Sequence, residues 1–190
     1  GEGGDELFAG YGRYRRAARA RLLGGRPIRT VGQLDGFGLL RHSGCHWRQR
    51  ILEEEEALHY NLTRLQKAQA VDCASWLPND LLTKLDRCLM AHSVEGRVPF
   101  LDVGLAKFAF CLPDELKIKK GQGKWLLRNW LATSLPESKP FSKKRGFTVP
   151  VNQWISSRGR ELGHLVAEQE GVVRYCNPNA VRRLFTSEGK

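Results

Sequence analysis

Leu81, Leu82, Leu85, Leu89 and Met90 recur at helical spacing, while almost no stretch alternates apolar and polar residues as a half-buried strand would. Together these patterns constrain the fold more than anything else in the sequence: the chain is expected to be mainly α. Glycine and proline cut the helical pattern into pieces. A helix is expected from Asp5 to about Leu23, because Asp5 and Glu6 suit the positive end of a helix macrodipole and Gly24, Gly25 and Pro27 end it. Residues 28–51, mixing apolar and basic positions, read as helix. The acidic run Glu53 to Glu56 reads as the solvated start of a helix continuing toward Lys67. Trp76 to Asp80 reads as a turn that starts the leucine-rich helix. Val98 to Asp102 is an extended break, since proline restricts the residue before it. Further helices are expected at about 103–111, at Lys124 to Leu135 with Leu127, Trp130 and Leu131 inward, and at 152–155, 159–169 and 178–186. Gly121 to Gly123 form a loop. The whole reads as one mainly helical unit.

The 190 residues suffice for a sizeable core, and 41% hydrophobic with 27% charged residues is ordinary for a soluble globular protein. No apolar run reaches the roughly 18 residues of a membrane helix, and no signal-peptide core is present. The chain opens without methionine inside its densest motif, so it is expected to be a piece of something longer. Five cysteines, Cys45, Cys73, Cys88, Cys111 and Cys176, lack paired spacing, which fits a reducing cytosol and a cytoplasmic protein better than a disulfide framework. His42, Cys45 and His46 lack a second ligand pair and read as polar loop residues. The net charge of +11 is spread over several segments and matches no nucleic-acid module. It suits an anionic small substrate such as a nucleotide.

The chemistry concentrates in Gly1-Glu2-Gly3-Gly4-Asp5-Glu6-Leu7-Phe8-Ala9-Gly10-Tyr11. Glycines let backbone turn sharply and approach a ligand, and N–H groups before a helix start attract anions. Three carboxylates in the same loop suit phosphate only with a metal between them, since a carboxylate can hold Mg²⁺ while Mg²⁺ holds phosphate oxygens. A ligand-free acidic capping loop is the plainer reading of the spacing. Lys124, at the expected start of a helix, opposes the macrodipole, and a phosphate would offset that. Arg128, one turn on, shares its face.

Five segments together resemble the glutamine-hydrolysing asparagine synthetase family. GEGGDELFAGY is similar to its S-G-E-G-x-D-E-x-F-x-G-Y segment. Trp76 to Arg87 resembles L-P-x-D-x-L-x-K-x-D-R, and Met90 to Asp102 resembles M-A-x-S-x-E-x-R-x-P-F-L-D. Gly123 to Arg128 resembles the K-x-x-L-R helix, and Lys144 to Pro150 with Trp154 resembles K-x-G-F-x-x-P…W. The matches run in order from residue 1 to about 155, and 156–190 is expected to be a C-terminal helical extension. Ala9 stands where the family usually has glycine, and Gly96 where it has a larger apolar residue.

The resemblance implies the helical C-terminal portion of an α/β adenine-nucleotide α-hydrolase-like domain of the ATP-pyrophosphatase type. It implies that ATP, with Mg²⁺, adenylates L-aspartate, and that glutamine-derived ammonia then forms the amide, releasing AMP and pyrophosphate. Glu2 then falls where a base takes the proton of the attacking ammonium. Gly1, Gly3, Asp5, Lys124 and Arg128 fall where substrate and pyrophosphate bind, with Asp5 holding Mg²⁺ through pyrophosphate. Lys124 also falls where a cation meets developing charge. Asp86-Arg87 and Glu95-Arg97 read as ion pairs bracing the site, and Phe100 and Leu101 as core. Phe147, Pro150 and Trp154 read as packing anchors, and Lys143 to Arg145 as a solvated loop. The N-terminal glutaminase domain and the S-G-G-x-D-S loop are absent from this sequence, so the chain alone is expected to be inactive. That domain is the expected covalent partner, and a homodimer of the complete enzyme is compatible. Nucleic acid and membrane are not expected partners. An amidotransferase acting on another carboxylate, such as a surface-polysaccharide sugar acid, and a non-catalytic basic binding module are the competing readings.

Overall fold

A computed structural model of the chain describes residues 2–25, 37–41, 47–58, 61–142 and 150–186. The expectations for Gly1, for most of 28–51 including His42, Cys45 and His46, and for Lys143 to Val149 fall outside them. The chain is mainly helical and forms two compact units, Gly1–Thr30 with Arg48–Ser142 and Val31–Trp47 with Lys143–Lys190.

In the first unit the opening segment is not one long helix. Helix α1 (Gly4–Leu7) is a single turn, α2 (Gly12–Ala17) follows a break, and Arg21–Leu23 form a 3-10 turn. Ala9 causes the break: its φ of 57° is left-handed, a conformation no right-handed helix can pass through. The Gly10 amide closes the reversal on Asp5 O at 2.8 Å.

The acidic run Glu53 to Glu56 lies at the end of α3 (Trp47–Glu56), not at a helix start. A separate helix, α4 (Arg64–Val71), begins after Thr63. Thr63 Oγ1 accepts from the Gln66 amide at 3.1 Å, and Gln66 Oε1 accepts from the Thr63 amide at 2.9 Å. This capping box satisfies donors that a helix start leaves unpaired.

The expected turn at Trp76 to Asp80 is instead continuous helix. Asp72–Leu82 is wound as a π-helix with Pro78 inside it. Proline has no N–H and crowds the carbonyl four residues back; the wider i→i+5 turn gives the ring room, at the loss of the one hydrogen bond proline cannot donate. The helix then runs on as α5 (Thr83–Met90), and after a 3-10 turn at Pro99–Leu101 comes α6 (Val103–Cys111). Helix α6 coincides with the expected span, and Asp102 Oδ1 caps it by accepting from the Leu105 amide at 3.0 Å.

A one-turn α7 (Asp114–Lys117) leads to a minimal hairpin, β1 (Ile118–Lys119) against β2 (Gln122–Gly123), antiparallel with Ile118 opposite Gly123. Lys120 (φ 50°) and Gly121 (φ 73°) are both left-handed, as a two-residue primed turn requires. Then come α8 (Trp125–Ser134) and a 3-10 turn at Pro136–Ser138. Leu126 and Leu127, half-buried, pack against the core. Trp130, expected inward, is 65% exposed, because that core reaches only the first turn of α8.

Two apolar clusters hold this unit. Ala9, Tyr14, Ala17, Ile51, Leu65, Ala68 and Val71 form one. Leu7, Phe8, Ala109 and Leu112, with Phe100 and Leu101 against them, form the other. Phe8 meets Phe100 edge to face, with centroids 5.9 Å apart, a geometry that aromatic quadrupoles favour.

The second unit holds α9 (Val151–Ser157), α10 (Gly159–Ala167), α11 (Glu170–Tyr175) and α12 (Pro178–Thr186). Helices α10 and α12 pack closely: a Cβ on Gly163 would lie 3.1 Å from Phe185 Cβ, so glycine permits the approach. Residues 39–41 bind the end of α11, with the Arg41 amide on Tyr175 O at 3.0 Å and the Asn177 amide on Leu39 O at 2.8 Å. Trp154, expected to anchor this region, is 59% exposed. Ile155 takes the half-buried position of α9 instead. Among the described residues no helix is long and apolar enough to cross a membrane.

Candidate functional site

The break after α1 has a chemical result. Because the chain reverses at Ala9 and Gly10, the acidic turn is brought back against the hairpin. The Lys124 amide donates to Phe8 O at 2.8 Å. A Cβ on Gly123 would collide with Ala9 O, and one on Gly10 would collide with Asp5 Oδ1 and lie 2.6 Å from Lys124 Cε. At Gly10 and Gly123, therefore, glycine is a matter of space.

Lys124 Nζ ends 3.2 Å from Asp5 Oδ1. The first and fourth resemblance segments, far apart in sequence, thus place a cation and a carboxylate side by side. Their side chains are 30% and 24% exposed, covered enough to be held yet open to a ligand. Lys124 is the N-cap of α8, with φ 56°. The repulsion expected there from the helix dipole is offset in this structure by Asp5.

Glu2 is half-buried one residue before Gly3. Gly3 is left-handed at φ 88°, and a Cβ there would lie 2.8 Å from Leu101 Cγ. The loop is thereby pressed onto the Pro99–Leu101 turn. Arg128 faces backbone: Nε donates to Gly123 O at 2.9 Å and Nη1 donates to Pro140 O. It secures the ends of α8 beside Lys124.

Other expected residues stand elsewhere. Glu95 and Arg97 pair with each other at 3.0 Å, but with side chains 71% and 81% exposed. Such a solvated pair contributes little, so it does not brace the wall as expected. Asp86 and Arg87 are exposed. Among the described residues no three His, Cys, Asp or Glu side chains cluster in a metal-holding group.

Behind the Asp5–Lys124 pair lies a buried polar layer absent from the sequence expectations. Glu6, Gln69, Asp72 and Lys117 are each fully buried. Tyr14 donates to Asp72 Oδ2 at 2.7 Å, and Arg13 Nε donates to the same oxygen at 2.9 Å. Arg13 also lies 4.2 Å over the Tyr11 ring, a cation–π geometry. Burial works against the Arg13 charge, but Asp72 holds its pKa above the ordinary value. Burial, then Asp72, pushes the Tyr14 phenol up, and burial with Glu6 beside it does the same for Tyr11. Burial raises the Cys73 thiol to about 11 and lowers Lys117 to about 8. A signal for two of these residues was present. Leu65, Ala68, Gln69 and Asp72 follow the i, i+3, i+4, i+7 pattern, which puts the two polar residues on the buried face of α4 and its extension.

A mainly helical scaffold that sets an acidic glycine-rich turn against a lysine is the helical portion of an ATP-pyrophosphatase type of α/β domain. The chain belongs to the asparagine synthase family, whose sequence profile matches residues 1–190. It is 31% identical to asparagine synthetase [glutamine-hydrolyzing] 1 of Bacillus subtilis (strain 168), over 97% of this chain and 35% of that protein. It is 30% identical to a putative asparagine synthetase [glutamine-hydrolyzing] of Mycobacterium bovis, over 82% of this chain and 30% of that protein. The chain thus spans about a third of the length of these curated relatives. No solved structure matches it.

Proposed function

We propose that the chain is the C-terminal part of the synthetase domain of an enzyme that uses ATP to turn L-aspartate into asparagine, with ammonia supplied from glutamine by a separate glutaminase domain. The observation that carries this reading is the Asp5–Lys124 pair at 3.2 Å, formed by two segments that the family resemblance had linked to the phosphates.

The chemistry runs in two steps. An aspartate carboxylate oxygen attacks the α-phosphorus of ATP. The bond to the bridging oxygen breaks, and pyrophosphate leaves from a mixed carboxylic–phosphoric anhydride. Ammonia then attacks the acyl carbon, and AMP leaves with the bridging oxygen. Lys124 stands at the phosphate end, where a fixed cation stabilises the negative charge developing on the departing groups. Glu2 takes the proton of the attacking ammonium, which has no lone pair until it is lost. Gly3 keeps the loop backbone close to the phosphates. Arg128 holds the lysine-bearing turn and adds positive charge to that end.

Mg²⁺ fits this arrangement. A single carboxylate, Asp5, partly exposed and confined by Gly10, suits an ion that prefers one or two protein carboxylates and takes its other ligands from phosphates and water. When bound it would neutralise pyrophosphate charge. Asp5 is the residue that would hold it through pyrophosphate, and Lys124, beside Asp5 at 3.2 Å, would then be shared with the phosphate.

The test is ATP–pyrophosphate exchange driven by L-aspartate in the complete polypeptide that contains this chain, for wild type, Asp5→Ala and Lys124→Ala. Aspartate-dependent exchange that collapses in both variants supports the reading. Exchange driven only by another carboxylate would keep the chemistry and discard asparagine as the product. Exchange undiminished in the variants would make the pair structural.

A further inference from the structure

We infer that Lys117 is a positioning residue: with Gln69 it forms a buried clamp that sets where Asp5 and Lys124 stand relative to each other. This rests on the reading of that pair as the phosphate end of the site.

Lys117 has 0% of its surface exposed, a costly place for an ammonium unless it is bonded. It donates to Gln69 Oε1 at 3.0 Å and to Phe110 O at 2.9 Å, and Nζ lies 5.4 Å from the Phe110 ring centroid. An ammonium offers only donors, so it dictates which end of the Gln69 amide faces it. Oε1 must point to Lys117, and Nε2 must point away. In that direction Nε2 donates to Glu6 O at 2.5 Å and Leu7 O at 2.8 Å. Both carbonyls close the one-turn helix that carries Asp5, and carbonyls at a helix end have no intrahelical partner.

Lys117 also stands at the root of the hairpin. Its backbone runs directly into β1, through the two-residue turn and β2, and into Lys124. The Lys124 amide is fixed to Phe8 O. The acidic turn and the lysine-bearing turn are therefore joined twice, through the backbone bond at Phe8 and through Lys117–Gln69. Packing alone would be met by leucine or methionine at 117. What the ammonium adds is the orientation of one amide. Asp114, Cys111 and Cys73 are the other titratable groups near Lys117, and burial outweighs them in lowering its pKa.

The test uses Lys117→Met, Gln69→Leu, Gln69→Glu and the double variant Lys117→Met/Gln69→Leu. Gln69→Glu is the discriminating one: it can pair with Lys117 as an ion pair but cannot donate to Glu6 O and Leu7 O. The first readout needs no activity. Competitive amine labelling of the chain at pH 7.5, followed by mass spectrometry, reports how well Lys124 is held, with exposed Lys84 as internal reference and circular dichroism confirming folding. A clamp predicts that Lys124 labelling rises several-fold in all three single variants and no further in the double. Wild-type labelling of Lys124 in folded Lys117→Met or Gln69→Glu would overturn the inference.

The second readout is exchange kinetics of the complete protein. The clamp predicts a kcat lower by about a hundredfold, the scale of an ångström of misplacement, with little change in the KM for ATP. If no carboxylate drives exchange even in wild type, the proposed function fails while the labelling result stands by itself. If the variants do not fold, hydrogen exchange of the wild type decides: the Gln69 side-chain amide and the backbone amides of Leu7 and Lys124 must open together, and independent opening would sink the clamp.

Discussion

Gly10 has room for a hydrogen and nothing larger. A methyl there would collide with Asp5 Oδ1 and crowd Lys124 Cε at 2.6 Å. Gly10→Ala should therefore separate the pair and lower aspartate-dependent exchange by about a hundredfold, measured beside a thermal melt that shows the protein folded. Lys124→Ala should cost roughly 3–4 kcal/mol of transition-state stabilisation, read as a drop in kcat of a few hundredfold, if the lysine meets developing charge as a preorganised donor does. Cys73 offers an independent check on the buried layer. Burial raises its thiol to about 11, so at pH 8 it is overwhelmingly protonated and a thiolate-selective reagent should reach it last. Cys88 and Cys111 are exposed and should react first; mass spectrometry of a labelling time course reads the order. At this scale Asp5 and Lys124 were singled out chiefly by the family resemblance, since the spacing of the acidic turn by itself reads more plainly as a ligand-free cap; the structure adds that the two side chains stand 3.2 Å apart. Gln69 was legible only by its spacing on α4. Lys117 carried no signal, because one lysine among Lys117, Lys119 and Lys120 looks like surface until the fold encloses it.

A local cap made α6 readable but not α4, whose capping box at Thr63 was read through as continuous helix, and boundaries that depend on backbone geometry were not readable. Helix α6 follows from Pro99 and the capping Asp102, both visible in sequence. The division of the opening helix depends on Ala9 taking a left-handed conformation, which alanine rarely does, so the only mark of it is the glycine that the resembled family usually has at that position. The π-helical passage through Pro78 failed for the converse reason: proline ordinarily ends a helix, and only a widened turn carries one through. Thr63 tests the capping argument. Thr63→Ala removes the capping-box acceptor and the bond to Asp114 Oδ1 at 3.0 Å, and should cost about 1 kcal/mol, measured as a lower urea midpoint. The junction of α7 and β1 carries a pH dependence. Lys117 loses its proton at about 8 when folded and at 10.5 when not. Between those values the unfolded chain binds more protons, so this group makes stability rise with pH. Cys73, raised from 9.0 to about 11, acts in the opposite direction above 9. Over pH 8 to 9, therefore, wild type should gain up to about 1 kcal/mol relative to Lys117→Met, read from paired denaturant titrations.

Taken whole, the chain covers about a third of the length of its curated relatives, and the proposed reaction needs adenine and glutamine sites that no part of this sequence resembles. The chain alone should give no aspartate-dependent exchange and no glutamine hydrolysis; turnover of either by purified chain would refute that assignment. The division into two units was not legible, because it depends on residues 39–41 binding the far end of the chain at 175–177, a pairing without local signature. One feature of the first unit also bears on how such a protein could be bred. Lys124 occupies a left-handed φ of 56°, which costs a side-chain-bearing residue roughly 1–2 kcal/mol, more than its partly solvated pairing with Asp5 returns. Lys124→Gly should therefore raise the melting temperature. A heat-survival screen run without an activity assay would enrich that substitution, and the hardiest clones would be those that had discarded the cation proposed to meet the phosphates.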